Sequence, residues 1–437
     1  MKRKITAAIL TMCLAASLTA CGGTSTSGGS TTESAAAPAA ATEAAPAATE
    51  AAPAATEAAP AATEAAPAAA DTSSIKVGVI YIGDENEGYT ASHMKGVKEM
   101  KDALGLSDDQ VIEKTNIAED ESCYDAAIDL AEQGCTAIFA TSFGHEDYLI
   151  QAAGEYPDIQ FFHATGYQAA TSGLPNMHNY FDKIYEARYV TGIVAGMKLN
   201  QMIEDGTITE DAAKIGYVGA YPYAEVVSGY TSFFLGVRSI CPSATMEVKY
   251  TNSWADMSAE AEVASQLIAD KCVLISQHAD TTGAPSTCEA EGVPCVGYNV
   301  DMVSVAPNAA MTSSSNNWGV YYNMAVSSVV NGESVPVDWA DGYDSGAVYI
   351  TPINEKVAAE GTQAKVDEAE AALKAGKLHV FDTSTFTVGG KSLEDLIAEG
   401  GDNEKYSQYV SDGYFHESEV ASAPAFDLRI DGITEQQ

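Results

Sequence analysis

The sequence predicts an α/β protein made of two successive parallel-sheet arrays, and three observations predict it. Short apolar runs of strand length alternate with segments whose apolar residues recur at helical spacing, the pattern of βαβ units. The alternation runs through once and begins again after Phe181–Tyr185. Nearly every strand in both halves ends in polar or aromatic residues, and open α/β sheets bind ligands at the carboxyl ends of their strands.

In the first array, Ile75–Ile82 reads as a strand that ends in Gly83-Asp84-Glu85-Asn86-Glu87-Gly88-Tyr89-Thr90. A helix follows, with Met94, Val97, Met100 and Leu104 on one face. Val111–Lys114 is a short strand and Ser122–Gln133 a helix. Thr136–Ala140 is a strand running into Thr141-Ser142-Phe143-Gly144, and Tyr148–Tyr156 is a helix. Ile159–His163 is a strand ending in Ala164-Thr165-Gly166-Tyr167.

The second array opens with a helix over Tyr185–Leu199, in which Gly192 and Gly196 allow close packing. Lys214–Val218 is a strand ending near Tyr221, Tyr223 and Glu225, followed by a helix over Val226–Ser239. Met246–Tyr250 leads into Thr251-Asn252-Ser253-Trp254, and Ala259–Ala269 is helical. Cys272–Asp280 starts as an apolar run and turns abruptly polar at Ser276, Gln277, His278 and Asp280. Pro294–Tyr298 ends in Asn299-Val300-Asp301. One more strand, from Ala309, ends in Asn316-Asn317-Trp318 before a helix to Val330. Gly346–Ile350 is a crossing segment, Lys356–Ala375 a charged helix, and the tail from His379 short strands and turns.

Two segments precede the arrays. Lys2, Arg3 and Lys4 ahead of the mostly apolar Ile5–Leu18 form a targeting signal. Its end, Leu18-Thr19-Ala20-Cys21-Gly22, resembles the bacterial lipoprotein signal, which predicts removal of residues 1–20 and lipidation of Cys21. Residues 21–74 read as a tether. Thr-Glu-Ala-Ala-Pro-Ala-Ala starts at Thr42 and repeats from Thr49, Thr56 and Thr63. A proline in each repeat and the lack of large apolar residues rule out a coiled coil and predict an extended, disordered stalk.

The formal charge is −39 over 437 residues. That argues against electrostatic binding of nucleic acid or of an anionic membrane face. Outside the signal and Cys21, the cysteines form no Cys-x-x-Cys pair and no histidine cluster joins them, so neither a metal nor a cofactor is expected. Cys272 and Cys295 begin two strands that could be neighbours and are the candidate disulfide pair, with free buried thiols the alternative. There is no Gly-x-Ser-x-Gly elbow, His-Glu-x-x-His or phosphate loop. Ser276, His278 and Asp280 lie too close together at one strand end to supply triad geometry, so no enzyme is expected.

Facing arrays would enclose a cleft in which aromatic rings stack on a flat ligand and amides and carboxylates read its edges. Several motifs resemble one family. They include Phe-His-Ala-Thr-Gly-Tyr (162–167), Ala-Arg-Tyr-Val-Thr-Gly-Ile-Val-Ala-Gly (187–196), Thr-Asn-Ser-Trp (251–254), Gln-His-Ala-Asp (277–280) and Asp-Gly-Tyr-Phe-His-Glu-Ser (412–418). The chain from Ile75 onward is similar to the basic membrane protein family of substrate-binding lipoproteins, which includes the purine-nucleoside receptors of ABC importers.

The resemblance implies the two-lobed, hinged periplasmic-binding-protein type I fold. The first lobe is expected over 75–182 with part of 308–350, and the second over 183–307 with part of 350–437. It implies a purine held between Tyr89 and Trp254, an ABC permease and ATPase as partners, and a lipid anchor on the extracytoplasmic face of the membrane. Nucleoside-binding relatives carry an Asp in their Gly-x-Asp motif and a Lys near the position of Asn317, both contacting ribose. Here the first is Asn299 and the second is not lysine, which shifts the expected ligand to a free, adenine-like base. The candidate ligand-binding set is Asp84, Tyr89, Ser142, Phe143, Glu225, Trp254, Gln277, His278, Asp280, Asn299, Asp301, Asn317 and Trp318. A pentose or other small sugar as ligand, and a ligand-presenting signalling co-receptor, are the alternatives.

Overall fold

A computed structural model of the chain describes residues 71–436. The signal segment, Cys21 and nearly all of the tether lie outside them. The first lobe begins with β1 (Val77–Ile80), α1 (Gly88–Leu104), β2 (Val111–Lys114), α2 (Glu121–Glu132), β3 (Ala137–Ala140), α3 (Glu146–Glu155), β4 (Gln160–Ala164), α4 (Ala169–Ser172) and β5 (Met177–Tyr180). The second lobe follows as α5 (Ile184–Glu204), β6 (Lys214–Gly219), α6 (Ala224–Ile240), β7 (Thr245–Tyr250), α7 (Met257–Ala269), β8 (Leu274–Gln277), α8 (Gly283–Glu291), β9 (Cys295–Tyr298) and β10 (Ala310–Asn316). The remainder is α9 (Gly319–Asn331), β11 (Asp338–Trp339), β12 (Val348–Ile350), α10 (Thr362–Lys374), α11 (Leu393–Glu399), β13 (Val410–Ser411), β14 (Tyr414–Phe415) and β15 (Ile433–Gln436).

The two-array reading is what forms. One sheet has the order β11-β5-β4-β3-β1-β2 and is parallel throughout. The other has the order β12-β10-β9-β8-β6-β7-β15, with only β12 antiparallel. Every residue of β1, β3, β8 and β9 is buried, as expected of strands covered on both faces by helices. The chain crosses between lobes after β5, after β10 (α9 packs on α1 of the first lobe) and between β11 and β12.

Gly192 does allow close packing. A Cβ there would sit 2.1 Å from the Phe233 carbonyl oxygen, and one at Gly236 would sit 2.0 Å from that of Tyr189. Helices α5 and α6 therefore meet backbone to backbone beneath the second sheet.

Four expectations change. Strand β5 was not foreseen, because His178 and Asn179 hide it from a search for apolar runs. Both are buried and satisfied by side-chain bonds, His178 to Gln160 and the Pro336 carbonyl, Asn179 to Glu146 and the Ala169 N–H. Helix α8 was also missed, since it is short and carries Pro285 in its first turn, a position where proline is tolerated. The charged helix starts at Thr362 rather than Lys356, because Gly361 takes the left-handed conformation (φ 78°) just ahead of it. Cys272 and Cys295 do not pair. The six cysteines among the described residues are free and buried, and the thiol acting on Cys295 is that of Cys288.

Candidate functional site: an acidic, aromatic cleft

The carboxyl ends of the two sheets face each other across a cavity of about 500 Å³. From the first lobe, the loop after β1 brings Asp84, Glu87 and Tyr89, and the loop after β3 brings Ser142 and Phe143. Glu87 caps α1, accepting the backbone N–H groups of Tyr89 at 2.6 Å and Thr90 at 2.9 Å. The Tyr89 hydroxyl donates to the Thr141 carbonyl at 2.8 Å, and its ring stands edge-on to His93 and Trp318. From the second lobe, β6 ends toward Tyr221 and Glu225, β7 toward Trp254, β8 toward His278 and Asp280, and β9 with Tyr298. The Trp254 indole packs edge-on to Tyr221, with centroids 5.2 Å apart.

The lobes touch at both margins of this cavity. The Gly88 N–H donates to the Asp280 carbonyl at 2.9 Å, and the Phe143 ring stacks on Tyr223 at 5.7 Å.

Asp84, Tyr89, Ser142, Phe143, Glu225, Trp254, His278 and Asp280 thus come together as the sequence suggested. The other five candidates do not line the cavity. The Gln277 side-chain amide donates to the carbonyls of Ala279 and Thr281 and braces the turn. Asn299 donates to the Asp280 carboxylate at 2.7 Å and so orients a wall residue. Asp301 caps the single turn Met302–Ser304, and Asn317 donates to the Gly346 carbonyl. Trp318 is only 1% exposed, stacks on His93 at 4.1 Å and donates to Ser92 Oγ; it backs Tyr89 instead of narrowing the cleft.

Glu87 and Tyr221, outside the candidate set, also line the cavity from loops that follow strands, and two contributors lie off those loops. Tyr298 reads as the last residue of an apolar strand, yet it lines the cavity and its buried hydroxyl has no partner in the protein. Arg188 lies behind it with the guanidinium 3.9 Å from the Tyr298 ring centre, donating to the Tyr217 hydroxyl and the Gln277 carbonyl. A lone charge in the otherwise uncharged stretch Ala187–Gly196 was the available signal.

Four carboxylates line the cavity (Asp84, Glu87, Glu225 and Asp280) and no lysine or arginine does. Burial pushes the carboxyls of Glu225 and of nearby Glu260 up to about 7. Asp280 is raised by burial and by its neighbours Glu87, Glu260 and Glu225. His278 Nε2 lies 3.2 Å from Glu225 Oε1, and burial holds the imidazole well below its ordinary range, so the pair carries a hydrogen bond rather than an ion pair.

Stability should therefore peak in mildly acidic solution. Glu225 and Glu260 bind protons in the folded chain up to about 7 but in the unfolded chain only to their ordinary range. Their contribution is complete at low pH and is lost as pH rises through 7. The buried histidines act oppositely. His163, pushed down to about 3, and His93 and His278, also lowered by burial, contribute stability that is lost as pH falls below the ordinary imidazole value. We expect Tm, measured by calorimetry, to be higher near pH 6.5, about the ordinary imidazole value, than at pH 4 or pH 8. A Tm that climbs from about pH 6.5 to 8, where the histidines no longer contribute, would show these carboxyls to be already ionised.

The model of the Bmp family, described as ABC transporter substrate-binding protein PnrA-like, matches residues 74–378. This chain belongs to the Bmp family. It is thus an ABC transporter substrate-binding protein, a class of extracytoplasmic receptor and not of enzyme. A purine-binding protein of Brucella abortus is 33% identical over 334 residues, 74% of this chain and 89% of that protein. A putative ABC transporter glucose-binding protein of Haloferax volcanii is 32% identical over 269 residues, 62% of this chain and 64% of that one. A solute-binding protein of Aeropyrum pernix shares the fold with a TM-score of 0.60 at 17% identity, covering 74% of this chain and 96% of its own. One from Conexibacter woesei does so at 0.54 and 20%, covering 70% and 98%. No helix among the described residues is long and apolar enough to cross a membrane.

Proposed function

We propose that this Bmp-family protein captures an uncharged purine base, adenine-like, and delivers it to the permease of an ABC importer. The observation that carries the reading is the lining of the cleft: the rings of Tyr89, Phe143, Trp254 and Tyr298, four carboxylates and no cationic side chain. A purine base is flat, rich in N–H donors along its edge and free of negative charge. A nucleotide would bring its phosphate beside the Asp84 carboxylate, whose bonds to Asn86 hold it ionised, with no lysine or arginine in the lining to balance the charge, which like-charge repulsion disfavours. The residue at the ribose-reading position of nucleoside-binding relatives, Asn299, spends its amide on Asp280. That supports the free base over the nucleoside. The Brucella relative's name supports a purine ligand of either kind. On this reading Cys21 carries the lipid that holds the receptor at the membrane, which metabolic labelling with a radioactive fatty acid checks.

Thermal shift with adenine, adenosine, ribose and glucose tests the ligand. At a hundred times its dissociation constant a ligand adds about 2.7 kcal/mol, a rise of roughly 3 to 4 °C for a chain of this size. Adenine is expected to give it at the lowest concentration. A sugar is the second reading, favoured by the Haloferax relative's name. A shift with glucose or ribose and none with adenine would replace the first reading by the second.

A further inference from the structure

Residues 379–436 follow the stretch that matches the family model, and they run along one side of the cleft touching both lobes. On the second lobe, β15 adds a parallel strand beside β7, and the hydroxyls of Tyr230 and Tyr250 both donate to Glu435 at 2.6 Å. On the first lobe, the Ser422 backbone N–H donates to the Asp338 carboxylate at 2.9 Å, and Asp338 opens the edge strand β11.

Leading up to and around Ser422, residues 405–425 wall a second cavity of about 460 Å³. Its other walls are Phe143 and Tyr167 of the first lobe and Tyr223 and Glu225 of the second. It shares Phe143, Thr165 and Glu225 with the ligand cavity, and the stacked rings of Phe143 and Tyr223 bridge the lobes beside it. These rings are substantially exposed, Phe143 by 40% and Tyr223 by 44%. Their mutual contact is therefore easily lost to water unless something holds the lobes together.

The segment is a folded brace. Phe381, Phe415 and Phe426 pack together, and the buried Glu417 carboxylate accepts the N–H groups of Ala425 and Phe426. Lys405 and Tyr406 both reach Asp427. Its two anchors are unequal: a four-residue strand register on the second lobe, against one charge-assisted hydrogen bond on the first. Opening of the cleft would leave the segment on the second lobe and break the bond to Asp338.

We propose that this C-terminal segment is a third component of the binding site and that Asp338 is a positioning residue. Its bond to Ser422 holds the segment against the first lobe, keeps Phe143 against Tyr223 and slows ligand escape. The proposal rests on the ligand-binding reading but not on the ligand being a purine.

Asp338→Ala removes the acceptor, and Ser422→Pro removes the donor while leaving Asp338 in place. Ser422→Ala keeps the N–H and is the control. With adenine as probe, stopped-flow fluorescence should show release about tenfold faster in the first two, the expected worth of one hydrogen bond to a charged group, with association changed less than about twofold. Ser422→Ala should match wild type. Small-angle scattering of the ligand-free proteins should give a larger radius of gyration for Asp338→Ala and Ser422→Pro alone. Wild-type adenine release from both folded variants overturns the proposal. If adenine does not bind the wild-type protein, the purine reading fails and the radius of gyration decides: a larger value supports the brace and an unchanged one overturns it. Should Asp338→Ala not fold, Ser422→Pro carries the test. Hydrogen exchange in the unaltered protein reads the same contact, since exchange at Ser422 should slow on ligand saturation, and unchanged exchange counts against it.

Discussion

Trp254→Ala is expected to weaken adenine binding by roughly 10- to 100-fold, the range that loss of one base–aromatic stack produces. The indole is half-buried in the cleft wall. Its position is fixed twice, by the edge-on contact with Tyr221 and by the Trp254 carbonyl, which accepts the Asp280 N–H at 2.9 Å. The second restraint is a backbone one and survives the substitution. The carboxylates of Asp280 and Glu225 should therefore stay in place, and the loss should read out as stacking alone. Trp254→Phe should recover most of the affinity because a ring of the same orientation remains. Isothermal titration against adenine decides it. A folded Trp254→Ala protein with wild-type affinity would place the ligand away from this wall.

The residues that could be read from the sequence were those whose position and chemistry agree. Trp254 stands among polar neighbours at the end of a strand, where a core indole would be out of place, and Asp84, Glu225, His278 and Asp280 follow strands directly. The failures have a common physical cause. Gln277, Asn299 and Asn317 are equally polar and equally placed, but each spends its amide on backbone or on a neighbouring side chain. Sequence position does not reveal where a hydrogen bond goes. Trp318 and Tyr298 fail in opposite senses. The first has polar neighbours but turns inward onto His93, whereas the second closes an apolar strand and turns its ring to the cavity. The alternation of strands and helices exposed both sheets. Strand β5, whose buried His178 and Asn179 are matched by specific partners, left no apolar run to find.

Gly88→Val should impair closure of the cleft, and with it affinity, while sparing the fold. Gly88 opens α1 in the first lobe and gives its N–H to the Asp280 carbonyl in the second. A Cβ at Gly88 would lie 3.0 Å from that carbonyl oxygen, 3.4 Å from the Asn299 Cβ and 3.7 Å from a Val300 methyl. All three neighbours belong to the opposite lobe. A single methyl therefore demands a shift of a few tenths of an ångström, and the two further methyls of valine add bulk beside the loops that carry Asp280 and Val300. Overpacking of this kind costs about 1–3 kcal/mol. Here the cost falls on the closed arrangement alone, because separation of the lobes removes every atom involved. A penalty confined to the binding-competent state lowers apparent affinity by the same factor, roughly 5- to 150-fold, with Gly88→Ala intermediate. The three atoms nearest a Cβ at this position all lie in the second lobe, so the ligand-free Tm should change little. Adenine titration together with small-angle scattering at saturation separates the causes. A variant that binds weakly and stays extended until ligand is in large excess has lost closure. One that binds adenine as tightly as wild type would show that the Gly88–Asp280 contact is not part of the bound state.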